Sequence, residues 1–205
     1  MARLFFLLFV YLNIYSQELS PIQSFKVDDY NASGQNWMIS QSSNGNLYFA
    51  NNDGLLKYNG NKWSLYPSPK GTIIRSVNYI NDKVYTGENT DFGYWIKNKN
   101  GSYYYTSIPL KYNFKLLEDE EFWNILEFKN WVVFQSLNRL VFFDPISEES
   151  SSIEPDGGVF KSFVIDNNLY FFTQNQGVFK VDNGAYVPYN TNNIFKNNSI
   201  IHLLK

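Results

Sequence analysis

The stretch Asn44-Gly45-Asn46-Leu47-Tyr48-Phe49-Ala50-Asn51-Asn52-Asp53-Gly54-Leu55-Leu56-Lys57-Tyr58-Asn59-Gly60 decides the fold. Asn-Gly tolerates positive φ at both central turn positions, so Asn44-Gly45 reads as a hairpin joining Trp37–Gln41 to Leu47–Ala50. Asp53-Gly54 turns the chain into Leu55–Tyr58, and Asn59-Gly60 turns it again into Trp63–Tyr66. The result is one meander of four short strands.

The same plan repeats. A second unit opens at Arg75–Ile80, turns at Asn81-Asp82, and continues through Lys83–Gly87, Phe92–Ile96 and Tyr103–Tyr105. A third runs Trp123–Leu126, Trp131–Phe134 and Arg139–Phe143, with a weak strand near Ile153. A fourth runs Lys161–Ile165, Leu169–Phe172, Gly177–Val181 and Tyr186-Val187, and a fifth opens at Ile200–Leu204. Aligned openings place Trp37, Arg75, Trp123, Lys161 and Ile201 in one column, 38, 48, 38 and 40 residues apart. A glycine before the third strand recurs as Gly54, Gly93 and Gly177, with Arg139 near that column in the third unit.

Four strands per repeat of about 40 residues is the arithmetic of a propeller blade. A β-sandwich also has many short strands, but it does not repeat one four-strand unit in step. The second strands are near-continuous apolar runs, as expected of strands covered on both faces. The fold class is therefore all-β: an incomplete β-propeller of four-stranded antiparallel blades near 37–67, 74–108, 122–155 and 160–190, with a fifth beginning at 199–205. Residues 17–36, with Phe25-Lys26-Val27, are expected to supply a linker or a strand that closes the ring. The stretch Pro109–Glu121, with the acidic run Glu118-Asp119-Glu120-Glu121, reads as a surface loop.

Composition supports strands over helices. Aromatic residues make up 19% of the 205, with 16 Tyr and 18 Phe. The net charge is −2, so no basic field exists to hold a nucleic-acid backbone. Residues 1–16 read as a signal peptide: Arg3 is the positive start, Leu4–Ile14 the apolar run, and Ser16 a small residue at the cleavage point. The run is shorter than the roughly 20 apolar residues of a membrane span. An uncleaved anchor is the alternative, opposed by polar Asn13 and Gln17. There is no cysteine, so neither disulfides nor a lipid anchor on cysteine contributes. The expected location is the periplasmic side of a bacterial inner membrane. There the sequons at Asn31, Asn100 and Asn197 carry little weight. An open propeller exposes apolar blade surface, so residues 17–205 alone are expected to be poorly soluble.

Trp37-x-Ile39, Asn44–Asn51 and Asp53–Gly60 resemble the two-component-regulator propeller repeat of exported sensor regions in Bacteroidetes. Asp91-Phe92-Gly93-Tyr94 resembles a stretch of one subgroup. In that subgroup the propeller precedes a triple-tyrosine domain, a membrane helix, and a helix-turn-helix or histidine-kinase part. The resemblance covers most of residues 18–204. It departs from the family pattern after the opening strand, where Ser42 stands in place of the usual Asp. It implies a sensor segment, with the membrane reached only through chain beyond Lys205.

No residue pattern points to catalysis, a metal or a cofactor. His202 is the single histidine and sits in an apolar run, the setting of a packed residue. Glu118–Glu121 can be drawn as paired carboxylates for glycoside hydrolysis, but a charge run is usually solvated. Asn51-Asn52-Asp53-Gly54 has the look of a calcium loop but lacks the remaining ligands and the closing Glu. Tyr94, Trp95 and Tyr103–Tyr105 could stack on sugar rings or pack between blades, and packing is the ordinary role of strand aromatics. Trp37 and Trp123 recur in the column, which points to structure. Three functions fit such a chain: an extracytoplasmic sensor propeller whose unknown small ligand is a glycan fragment or similar molecule, a secreted propeller enzyme acting on polysaccharide, and a propeller for adhesion or assembly. The first is the favoured expectation, and it makes this segment a receptor and not an enzyme.

Overall fold

The computed structural model describes residues 22–174 and 176–190. The signal peptide, the fifth opening around Ile201, His202 and the Asn197 sequon lie outside the described residues.

Among the described residues, sixteen strands form four separate antiparallel sheets, each with its strands in chain order. Blade one is β1 (Asn36–Gln41), β2 (Leu47–Asn51), β3 (Gly54–Tyr58) and β4 (Trp63–Pro67). Blade two is β5 (Ile74–Ile80), β6 (Lys83–Glu88), β7 (Asp91–Lys97) and β8 (Tyr103–Ser107). Blade three is β9 (Phe122–Phe128), β10 (Trp131–Ser136), β11 (Leu140–Phe143) and β12 (Ser150–Ile153). Blade four is β13 (Lys161–Ile165), β14 (Asn168–Thr173), β15 (Gly177–Asp182) and β16 (Ala185–Asn190). The opening strands β1, β5, β9 and β13 lie next to one another along the series, so they form the inner edge. This is an incomplete β-propeller, as the repeat arithmetic predicts.

Turn chemistry explains the hairpins, although at Asn44-Gly45 only Gly45 adopts positive φ, and the loop is longer than two residues, closed by Ser42 N donating to Asn46 O at 2.9 Å. Asn81-Asp82 and Asp166-Asn167 adopt positive φ at both positions, as does Asn183-Gly184, which matches the twist of the flanking strands. Between blades the side chains form three cores. Tyr48, Ala50 and Leu55 of blade one meet Ile74, Val77, Val84 and Trp95 of blade two. Tyr85, Phe92 and Ile108 meet Phe122, Phe134 and Phe143 of blade three. Val133, Leu140 and Phe142 meet Leu169, Phe171 and Phe179 of blade four. Strands β6 and β10 are buried at every position after the first, because they face a neighbour on both sides. That is why Trp131–Phe134 of β10 is an unbroken apolar run, whereas β6 is equally buried with Thr86, Gly87 and Glu88 in its second half.

Three expectations need correction. Phe25-Lys26-Val27 is not a strand: residues 22–26 are irregular and Val27–Tyr30 form the short helix α1. Phe25 packs its ring edge on Tyr58 and Trp63, and Tyr30 leans on Trp63, so the segment lies against blade one. Gly93 does not occupy the position of Gly54 and Gly177. Gly54 and Gly177 open β3 and β15 with φ of 142° and 103°, whereas Asp91 opens β7 and Gly93 pairs with Thr86 and Ser107 inside the sheet. Its glycine is required for a different reason: a Cβ there would lie 2.1 Å from the Thr106 carbonyl oxygen. Third, the acidic run is not a solvated loop. Helix α2 (Ile108–Tyr112), capped by the Ser107 hydroxyl on Leu110 N–H, buries Ile108 and leads the chain back under blade three. Glu118 and Asp119 are exposed, but Glu120 is buried against Arg139, and Glu121 pairs with Arg75.

Candidate ligand site at the end of the inner strands

The column residues come together at one end of the inner edge. Trp37, Arg75, Trp123 and Lys161 stand at or beside the first position of β1, β5, β9 and β13. With Met38, Asn124, Gln135, Leu137 and Phe160 they line an open cavity of about 500 Å³. A β-bulge between Asn36 and Met38 releases Trp37 from the ladder, re-aiming its indole. Bulges of this kind also interrupt the β5–β6 and β9–β10 pairings near Arg75 and Phe122.

The Arg75 guanidinium is the centre of the arrangement. Its carbon lies 4.7 Å from the Trp37 ring and 4.5 Å from the Trp123 ring. The two indoles meet edge to face, 5.9 Å apart. Arg75 Nη2 donates to Glu121 Oε1 at 3.1 Å, and Nε donates to Asn89 Oδ1 at 3.3 Å. Trp37 Nε1 donates to Asn52 Oδ1 at 2.7 Å. Arginine suits this place because its planar, weakly hydrated cation stacks on aromatic faces while its edge donates hydrogen bonds.

A polar network ties blades three and four beneath the cavity. Asn124 Nδ2 donates to Ser162 O at 3.2 Å, Gln135 Nε2 donates to Phe160 O at 3.3 Å, and Ser162 Oγ donates to Gln135 Oε1 at 2.6 Å. Around it the surface is aromatic and apolar: Trp37, Leu137 and Phe160 are 42%, 53% and 44% exposed. Exposed aromatic faces next to a fixed cation, and the Lys161 ammonium, make a surface that can stack on a ring and hydrogen-bond its substituents.

The repeat aligns Trp37 with Trp123, a recurrence that reads as structural; the two rings do pack on each other, and both also line the cavity. The partners Asn89 and Glu121, 14 and 46 residues from Arg75, carry no local signal. The other sequence candidates do not converge there. Tyr94 and Trp95 are buried between blades, with Trp95 Nε1 donating to Thr86 Oγ1 at 2.9 Å. Tyr103 bonds the Tyr48 hydroxyl at 2.7 Å, Tyr105 packs on Trp95, and of this group only Tyr104 is mostly exposed. Asn51–Gly54 is an anchoring turn: Asn51 Oδ1 accepts from Asp53 N, and Asp53 Oδ2 accepts from Ser33 N at 2.7 Å. Among the described residues no group of three or more His, Cys, Asp or Glu could hold a metal ion. No helix among them is long and apolar enough to cross a membrane.

No family model and no curated protein matches the chain. Solved structures do. The chain is similar to the extracellular domain of the hybrid two-component system BT3049 of B. thetaiotaomicron, with a TM-score of 0.63 and 12% identity over 82% of this chain and 26% of that one. The extracellular domain of the one-component system BT4673 of the same organism gives 0.58 and 18% over 74% of this chain and 21% of that one. A Bacteroides caccae protein of unknown function gives 0.56 and 12% over 78% and 61%. The chain thus spans between about a fifth and a quarter of the two regulator domains. At these identities the likeness shows the propeller fold.

Proposed function

We propose that this chain is the extracytoplasmic, ligand-sensing propeller segment of a membrane-spanning regulator. The carrying observation is the Trp37–Arg75–Trp123 stack at the end of the inner strands, which presents rigid aromatic faces and fixed polar groups to an open cavity. Such a surface suits a small ring-bearing ligand, with a glycan fragment as the candidate. The signal peptide reading of residues 1–16 and the resemblance of the blade-one repeat to exported sensor propellers support an export route to the periplasm. The regulator extracellular domains that share the fold support the same reading. Signal output would follow from a difference in ligand affinity between two states of the regulator.

The carboxylates argue for a receptor over an enzyme. No carboxylate is among the described residues that line the cavity, and Glu121 beside it is held by Arg75, so no convergent acid and base is in place among them. The reading is tested by following the reading frame beyond Lys205. Further blades, a membrane helix and a DNA-binding or kinase domain are the expected outcome. A secreted catalytic or sorting domain in their place would overturn it.

A further inference from the structure

The hairpin that joins β6 to β7 turns at Asn89 and Thr90, and two carboxylates flank it. Glu88 ends β6 and Asp91 opens β7, opposite each other in the ladder. Both side chains are fully buried. Glu88 Oε2 accepts from Ser68 Oγ at 2.5 Å and from Thr72 Oγ1 at 3.0 Å. Asp91 Oδ1 accepts from Ser107 Oγ at 2.7 Å and from Phe92 N at 2.9 Å. Glu88 Oε1 is buried with no hydrogen-bond partner, and the buried Tyr105 hydroxyl on β8 faces Asp91. Among the described residues, the cation that reaches the cluster is Lys70, from the loop between β4 and β5. Its Nζ lies 3.4 Å from Asp91 Oδ2 and donates to Thr90 O at 3.1 Å.

Two ionised carboxylates against one half-exposed ammonium leave a buried excess negative charge. That costs free energy through desolvation and repulsion, and a single bound proton removes it. Burial foremost raises the Glu88 carboxyl. Bonds from Ser68 and Thr72 and the Lys70 charge oppose the rise and the Asp91 charge adds to it, leaving Glu88 pushed up to about 7. Glu88 and Asp91 in turn add to the burial that raises the Tyr105 hydroxyl. The turn between the carboxylates belongs to the ligand site: Asn89 Oδ1 holds Arg75 Nε, Asn89 bridges Glu121, and Thr90 N donates to Glu120 O at 2.7 Å.

We infer that Glu88 and Asp91 form a proton-binding site that governs the position of the Asn89-Thr90 turn, and through it the seating of Arg75 against Trp37 and Trp123. With the proton on Glu88, Asp91 and Lys70 balance and the turn stays closed. When the proton leaves to solvent, water or a cation must reach the two carboxylates, and the turn is the wall that yields. The receptor surface then answers to the pH of an exported compartment, whichever ligand occupies it.

The test uses the full chain labelled with 5-fluorotryptophan, in a His202→Asn background because histidine titrates in the same range. The resonances of Trp37 and Trp123 are followed by fluorine NMR between about pH 5.5 and 8.5. Both are expected to shift with a midpoint near 7. Glu88→Gln abolishes the titration, and Asp91→Asn moves its midpoint to lower pH by removing the neighbouring charge. Thermal stability gives an independent reading. The folded state keeps a proton that the unfolded chain has lost between the ordinary value of 4.5 and about 7, so stability falls as pH rises through that window. Glu88→Gln flattens the fall. The inference is overturned if neither indole titrates, if the titration survives Glu88→Gln, or if only Trp95 responds.

Discussion

Arg139 grips Glu120 at two points inside the protein: Nε lies 2.8 Å from Oε1 and Nη2 lies 2.7 Å from Oε2, with both side chains at most 5% exposed. The pair fastens the connection between blades two and three to the β10–β11 hairpin. Arg139 also donates to Lys115 O at 3.0 Å, and Ser136 Oγ donates to Glu120 Oε1 at 2.8 Å. Removing one member of such a pair leaves a buried charge alone and costs about 3–5 kcal/mol. Arg139→Met is therefore expected to lower the urea midpoint sharply. Arg139→Met with Glu120→Leu should recover most of the loss. Equal destabilisation by the single and double variants would contradict the account.

The same pair is expected to make the protein acid-sensitive. Burial raises the Glu120 carboxyl, but the bonds from Arg139, Leu117 N–H and Ser136 outweigh it and hold the group below its usual range. Its stabilising contribution is present above the unfolded value of 4.5 and is lost as pH falls through the lower folded value. Stability against pH should show a loss at the acid end that Glu120→Gln reduces. This is opposite in sign to the Glu88 slope and lies below it in pH.

Gly54 is expected to be irreplaceable, whereas Gly45 is not. A Cβ at Gly54 would sit 2.2 Å from the Tyr66 carbonyl oxygen at a φ of 142°. Gly54→Ala should cost more than the roughly 1–2 kcal/mol of left-handed backbone strain alone. Gly45, at φ 82°, has no atom within 4 Å of its Cβ position, so Gly45→Ala should cost only that strain. Chemical denaturation of the two variants separates them.

Phe25 offers a test of the N-terminal segment. Its ring meets Tyr58 and Trp63 edge-on at 5.0 and 5.1 Å. Phe25→Ala should cost about 1 kcal/mol and make residues 22–30 more open to limited proteolysis, while the blade-one strands stay protected. Protection unchanged at those residues would show that the aromatic contact does not hold the segment.

Much of the fold could be read in the sequence because it is local. Asn-Gly and Asn-Asp pairs fix hairpins within a few residues, and the doubly covered strand β10 announces itself through the apolar run Trp131–Phe134. The glycine column was misread at Gly93 because two different constraints, positive φ and close backbone approach, both select glycine. The acidic run was misread because burial of Glu120 depends on Arg139, a partner in another blade element. The candidate site was half legible: the repeat aligned Trp37, Arg75, Trp123 and Lys161, and the succession of blades is what brings an aligned column to one place. Asn89, Glu121 and the Glu88–Asp91 pair were invisible, since nothing in a linear sequence distinguishes a solvated carboxylate from one enclosed by other strands.

The central claim is that the Trp37–Arg75–Trp123 surface receives the ligand. Its most direct test is a titration of the full chain with a panel of neutral and acidic oligosaccharides, read by calorimetry and by indole fluorescence. The account predicts saturable binding by a member of the panel. Trp37→Ala and Trp123→Ala should each weaken it at least about tenfold, roughly 1.4 kcal/mol, while Tyr104→Ala leaves it unchanged. Binding that survives both tryptophan substitutions, or that depends on Tyr104 instead, would contradict the assignment of this surface.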